Sequence, residues 1–245
     1  MLHISKVSKH FSSNGKRFTA LDDVSLRCNE GITVILGPSG CGKSTLLGLI
    51  AGFSKPDEGK VIFEGAEIKG PSKSVGIVFQ KPSLFPWMDT ESNISFGPSL
   101  SGEKADHKKL LLEVGLSEFG NHYPFMLSIG MQQRVALARA LANKPKILLM
   151  DEPFAALDAI TRRKMASLML EIHKVEKMPI ILVTHDIEEA ITLGDRIIVM
   201  SKNPGKIKAI FNNPLKKLSR ARENREKFFD FSEKLSVLLE PEIAQ

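Results

Sequence analysis

The chain has 245 residues, 42% hydrophobic and 25% charged, enough to bury a sizeable core and too apolar for a disordered polymer. No apolar run reaches the about 18–20 residues of a bilayer-crossing helix, and the opening MLHISKVSKHF is too polar and broken to read as a secretory signal. Cys28 and Cys41 are the only cysteines, which argues against a disulfide framework, and the formal charge of +6 is concentrated in 202–227, where nine Lys/Arg stand against two Glu.

In chain order, the first stretch, to about residue 30, alternates apolar and polar side chains, as antiparallel strands with one exposed face do. GITVILG (31–37) is a short continuous apolar run of the kind that forms a buried strand, and 43–51 reads as the helix after it. Residues 60–68 alternate again. SVGIVFQ (74–80), KILLMDE (146–152), PIILVTHD (179–186) and RIIVMS (196–201) repeat the buried-strand pattern, with helices expected over 161–177 and 187–193. Strand followed by helix, repeated, specifies an α/β fold on a largely parallel sheet. The stretch 86–142 has no strand signal, carries helical periodicity at 104–114 and ends in an Ala-rich helix over 128–141; it reads as a helical insertion between core strands. After Ser201, KNPGK (202–206) is a turn and 218–239 a charged amphipathic helix. The basic cluster fits a solvated helix face, nucleic acid or an anionic membrane surface.

Two motifs carry chemistry. GPSGCGKST (Gly37, Pro38, Ser39, Gly40, Cys41, Gly42, Lys43, Ser44, Thr45) follows a strand, opens a helix and satisfies G-x-x-x-x-G-K-[ST]. Its glycines let successive N–H groups converge on phosphate oxygens, and the helix start adds its dipole. Lys43 can reach the β- and γ-phosphates, and Ser44 can offer a hydroxyl to Mg²⁺. ILLMDE (147–152) supplies the carboxylates: Asp151 at a buried strand end for Mg²⁺, and Glu152 beside the γ-phosphate as a base for water. Together they indicate a nucleoside triphosphate with Mg²⁺. A third stretch, LSIGMQQRVALARAL (127–141), has the form of an anion-holding helix start, except that β-branched Ile129 stands where a glycine would admit a ligand.

Over residues 1–210 the chain resembles the ATP-binding subunit of ATP-binding cassette (ABC) transporters. The two motifs are joined by Gln80 at the family's Gln loop, a signature segment at 127–133, ALD at 156–158 and His185 in THD, all in order. The resemblance implies a P-loop core with a mixed sheet, an N-terminal antiparallel β-subdomain, a helical subdomain at about 86–142, and a basic C-terminal extension over 211–245. It implies two subunits packed head to tail, each ATP lying between the P-loop of one and the signature helix of the other. Gln80 would then couple the Mg²⁺ and water site to the helical insertion, and His185 would hold the γ-phosphate and help position water. Asp158 would reach across the dimer, while Ser128, Gly130 and Gln132 would contribute to the ATP site. Mg²⁺ would be held by Ser44, Gln80 and Asp151. Phe11, in preference to Phe18, would stack on adenine. Taken singly, Gln80 is a strand end, Asp158 a helix cap, His185 a structural residue and either phenylalanine a core residue.

FQKPSLFPWMDTESNISFG (79–97), DEPFAALDAITR (151–162) and VMSKNPGKI (199–207) resemble the importers of nitrate, taurine and alkanesulfonates. Phe85, Pro86 and Trp87 fall where that family docks a coupling helix of the permease. The implied partners are an integral-membrane permease, a second ATP-binding subunit (a homodimer) and, indirectly, a solute-binding protein, at the cytoplasmic face of the cell membrane, with no nucleic acid. The alternative is a soluble ABC ATPase acting on nucleic acid or ribosomes, motivated by the basic C-terminal region, although such proteins usually carry a second cassette or a long coiled-coil insertion. A P-loop kinase leaves the signature segment and His185 without a role. Where the family pattern is Leu-Ser-Gly-Gly, this chain has Leu127-Ser128-Ile129-Gly130. The expectation is a site that works with reduced affinity, and more slowly if closure needs a positive φ at 129.

Overall fold

A computed structural model describes residues 1–13, 15–215 and 222–243. In chain order the elements are β1 (Leu2–Ser13), β2 (Lys16–Cys28), β3 (Ile32–Leu36), α1 (Lys43–Ile50), β4 (Glu58–Phe63), β5 (Ala66–Glu67) and β6 (Val75–Val78). Then come α2 (Thr90–Leu100), α3 (His107–Glu113), α4 (Ile129–Ala142), β7 (Ile147–Asp151) and α5 (Ala159–Glu176). The chain continues with β8 (Ile180–Thr184), α6 (Ile187–Leu193), β9 (Arg196–Met200), β10 (Ile207–Asn212) and α7 (Arg222–Ile243). Two compact units result, Met1–Ser72 with Pro179–Gln245, and Lys73–Met178.

The first unit contains an antiparallel sheet in the order β2-β1-β4-β5. Alternation in the sequence produces it: on β2, Val24, Leu26 and Cys28 are buried while Ser25 and Arg27 face out. The same unit holds the parallel strands β8, β3 and β9, with β10 antiparallel on β9. Every residue of β3 and β8 is buried, as their unbroken apolar runs require. β10 was not foreseen. Its half-buried Ile207, Ala209 and Phe211 alternate with exposed Lys208, Ile210 and Asn212, a weak pattern that ends in turn residues. α7 is the expected C-terminal helix; the part of that expectation at 218–221 lies outside the described residues. Leu235 and Leu239 of α7 are buried, Phe231 meets Phe211 edge-on at 5.8 Å, and Lys208 donates to the Leu238 carbonyl at 3.0 Å.

The second unit pairs β6 with β7 in parallel, Val78 opposite Met150. Its helices α2, α3 and α4 enclose a core of Ile94, Leu111, Val114, Leu116, Leu127 and Val135. α2 had no periodic signal because Gly97 and Pro98 lower its propensity. It forms because the Asp89 side chain accepts from the Ser92 N–H at 2.8 Å, and because Gly97 lets it approach α4: a Cβ there would lie 2.6 Å from Asn143 Nδ2.

Candidate functional site

The P-loop lies entirely in the first unit. β3 stops at Leu36, and Gly37 leaves its sheet by donating its N–H to the Thr184 carbonyl at 3.3 Å. Gly40 and Gly42 have φ of +80° and +91°, a region costly for any residue with a Cβ. Gly42 also has no room: a Cβ would lie 2.6 Å from the Ala20 carbonyl oxygen. The loop closes around Lys43, which is 4% exposed and donates from Nζ to the carbonyls of Gly37 and Pro38 at 2.8 and 2.9 Å. Ser44, next on α1, is exposed, as is Ser39. Cys41 is buried, so its thiol packs inward. Such a loop, with its lysine drawn back under the glycines, fits a polyphosphate.

A surface turn holds this loop from outside. Gly205 donates its N–H to the Ala20 carbonyl at 3.1 Å and accepts from the Asp22 N–H at 3.0 Å. A Cβ at Gly205 would collide with the Cys41 carbonyl oxygen.

His185 follows β8 immediately and is exposed. Leu36 lies opposite Thr184 in the β3–β8 ladder, so His185 and the P-loop leave the same end of adjacent strands. The His185 backbone is fixed on its C-terminal side: Asp186 caps α6 by accepting from the Glu189 N–H at 3.0 Å, and Thr184 donates its hydroxyl to Glu189 at 2.6 Å. Phe11 and Phe18 face each other across the β1–β2 pair, and both are exposed, which excludes a core role for either.

The carboxylates, Gln80 and the signature segment lie in the second unit. β6 and β7 run in parallel, so Gln80, two residues past Val78, and Glu152, two past Met150, emerge from the same end. Gln80 is exposed; Asp151 and Glu152 are half-buried. Glu152 has φ +43°, a strained backbone for a non-glycine residue, of a kind that gathers at functional sites. Gln80 and Asp151 offer amide and carboxylate oxygens, donor chemistry that suits Mg²⁺.

At the signature segment, Ser128 is the N-cap of α4 and accepts from the Met131 N–H at 3.3 Å. Ile129 is the first helical residue, has no positive φ, and is 47% exposed. Its side chain therefore points away from the packing beneath the helix, and nothing in this backbone demands glycine there. Gly130 is the glycine that packing demands, because a Cβ would lie 2.5 Å from Thr161 Cγ2 on α5. Gln132 donates from Nε2 to the Pro124 and Leu127 carbonyls at 2.9 and 3.1 Å, which ties the preceding turn to the helix. Asp158 caps α5, its Oδ1 accepting from the Ile160 and Thr161 N–H groups at 3.0 Å. Hydrogen bonds from the Thr161 side chain and backbone hold its carboxyl below the usual range.

Sequence reasoning missed two buried amides of this unit. Asn93 accepts from the Phe85 N–H and donates to the Phe85, Met88 and Asp89 carbonyls, shaping the loop that leaves Trp87 70% exposed. Gln133 donates to the Gln80 carbonyl at 2.9 Å. Neither has a motif to mark it: Asn93 binds the irregular loop just before it, and Gln133 binds backbone more than fifty residues away.

A family model described as ABC transporter matches residues 21–155. An uncharacterized ABC transporter ATP-binding protein of Methanocaldococcus jannaschii is 45% identical, covering 99% of this chain and 92% of that protein. A taurine import ATP-binding protein of Jannaschia sp. is 50% identical, covering 87% of this chain and 82% of its own length. Among solved structures, a dimeric ATP-binding cassette in a post-hydrolysis state, bound to ADP and Pi, superposes with a TM-score of 0.78 at 32% identity, covering 86% of this chain and 98% of that one.

Proposed function

The chain belongs to the ABC transporter family, and on that premise we propose that it is the subunit that hydrolyses ATP to drive a separate membrane permease in the uptake of a small solute of the taurine, alkanesulfonate or nitrate kind. The observation that carries the reading is the P-loop, with Lys43 buried and tied to the Gly37 and Pro38 carbonyls at the start of α1. From there Lys43 serves the β- and γ-phosphates, and the loop N–H groups share their charge. Ser44, Gln80 and Asp151 would hold Mg²⁺, which would supply positive charge against the β- and γ-phosphates. Glu152 takes the proton of the attacking water, and His185 orients that water and the γ-phosphate. Phe11 stacks on adenine. Ser128, Gly130 and Gln132 shape the surface that meets the nucleotide of a second subunit, and Asp158 reaches across the dimer.

Similarity to a taurine import protein supports the solute class and the permease partner. Among the described residues no helix is long and apolar enough to cross a membrane, and in this reading translocation is the work of the permease. Exposed Trp87, beside Phe85 at 5.6 Å, is the anchor for that partner. The nucleic-acid alternative is weaker: Lys206 of the basic region pairs with Asp22 at 2.7 Å, and Lys208 is engaged by α7.

The test is phosphate release from ATP with Mg²⁺ by the purified chain, beside sizing of Glu152→Gln. Lys43→Ala is expected to lower turnover by about 100-fold or more, and Glu152→Gln to bind ATP, hydrolyse little of it and shift from monomer to dimer. A wild-type chain that releases no phosphate removes the hydrolytic reading. A variant that binds ATP yet stays monomeric removes the homodimer.

A further inference from the structure

Gln133, in the second turn of α4, is 1% exposed and carries an unusual burden for so buried a position. Its Nε2 donates to the Gln80 carbonyl at 2.9 Å and reaches the Phe79 carbonyl at 3.4 Å, while its Oε1 is buried without a hydrogen-bond partner. The two carbonyls fix which end of the amide is nitrogen, since the opposite orientation would set oxygen against oxygen. For helix packing alone, an apolar side chain of this volume would be preferable, because it leaves no polar atom stranded.

The placement explains the amide. The β6–β7 ladder ends at Val78, so Phe79 and Gln80 are the first residues beyond it. Gln133 grips the Gln80 backbone from the buried side, and the Gln80 side chain is left exposed. A second grip follows along the same helix. Arg139 donates to the Ser83 and Pro82 carbonyls at 3.0 and 3.1 Å and lies over the Phe85 ring at 5.5 Å. The helix that begins at Ser128 thus holds the segment running from Gln80 to Phe85.

We propose that Gln133 is a positioning residue for the ATPase reaction: it fixes Gln80 relative to the start of α4, so that Ser128 and Gln80 move as one body. This rests on the ATPase reading above and on the role given there to Gln80.

The experiment is a double-mutant cycle of Gln133→Met and Gln80→Ala in the full chain, with kcat and KM for ATP measured at varied Mg²⁺. Gln133→Met keeps the length of the side chain and loses its donors. It is expected to lower kcat by about tenfold, the worth of a lost hydrogen bond to a positioned group, to raise the Mg²⁺ concentration needed for half-maximal rate, and to leave KM for ATP unchanged. In the Gln80→Ala background the same substitution is expected to change little, because nothing remains for it to position. Equal losses in both backgrounds, or no loss in the first, overturn the proposal and reduce Gln133 to a packing residue. If Gln80→Ala alone leaves turnover intact while Lys43→Ala abolishes it, the role of Gln80 falls, and this proposal with it, while the ATPase reading stands. If Gln133→Met does not fold, Gln133→Asn takes its place in the cycle, keeping the amide but withdrawing it from the carbonyls.

Discussion

In the proposed function the starts of α1 and α4 both meet phosphate, and they use glycine for different reasons. Before α1, Gly40 and Gly42 are required by the backbone itself, which turns through positive φ to aim its N–H groups. At α4 the chain enters the helix in ordinary conformation behind a serine cap, and the backbone itself does not call for Gly130; the close passage of Thr161 does. Ile129 occupies a position where neither reason applies. A deviation from a family pattern is therefore judged by what the missing residue would have done in this backbone.

That contrast can be broken at three points. The largest effect belongs to Gly42→Ala, which meets both a forbidden φ and the Ala20 carbonyl. About 3 kcal/mol of stability should be lost, read by denaturant unfolding, with nucleotide binding lost as well. Gly130→Ala follows, at about 1–3 kcal/mol. Its cost is purely steric, so adding Thr161→Ser, which removes the Cγ2 methyl, should restore most of the thermal midpoint; Gly42→Ala admits no such rescue. If Gly130→Ala stays defective when combined with Thr161→Ser, the glycine is needed for more than clearance. Ile129→Gly is the smallest. It should cost about 0.5 kcal/mol through helix propensity, the opposite of a repaired defect. ATP-driven dimerisation should nevertheless tighten by severalfold, because the substitution removes bulk from an exposed face. If stability rises instead, Ile129 is strained in a way that its helical backbone does not show.

Local chemistry was legible in the sequence and long-range chemistry was not. The P-loop, the Asp151–Glu152 strand end and the Ser128 cap could be read because each is specified by residues adjacent in the chain. The strands β3 and β8 were equally plain, since burial on both faces leaves unbroken apolar runs. α2 was hidden by Gly97 and Pro98, residues that argue against a helix until the approach to Asn143 is seen. Gln133 was hidden because an amide gives no sign of which distant carbonyl it will meet, and Asn93 because the loop just before it, whose backbone it binds, has no periodic pattern. Phe11 is preferred to Phe18 by its place in the sequence, and the structure shows why that choice is narrow: they are direct cross-strand partners, so each presents a ring to the same exposed surface.

The turn that carries Gly205 has one further consequence. Surface turns are where tags, inserted domains and new chain ends are ordinarily tolerated. Here the backbone of Gly205 is stitched to Ala20 and Asp22 and lies flush against Cys41, in the middle of the P-loop. An insertion at this turn would be felt first at the P-loop, so a reporter placed there would respond to nucleotide, whereas one meant to be silent belongs elsewhere.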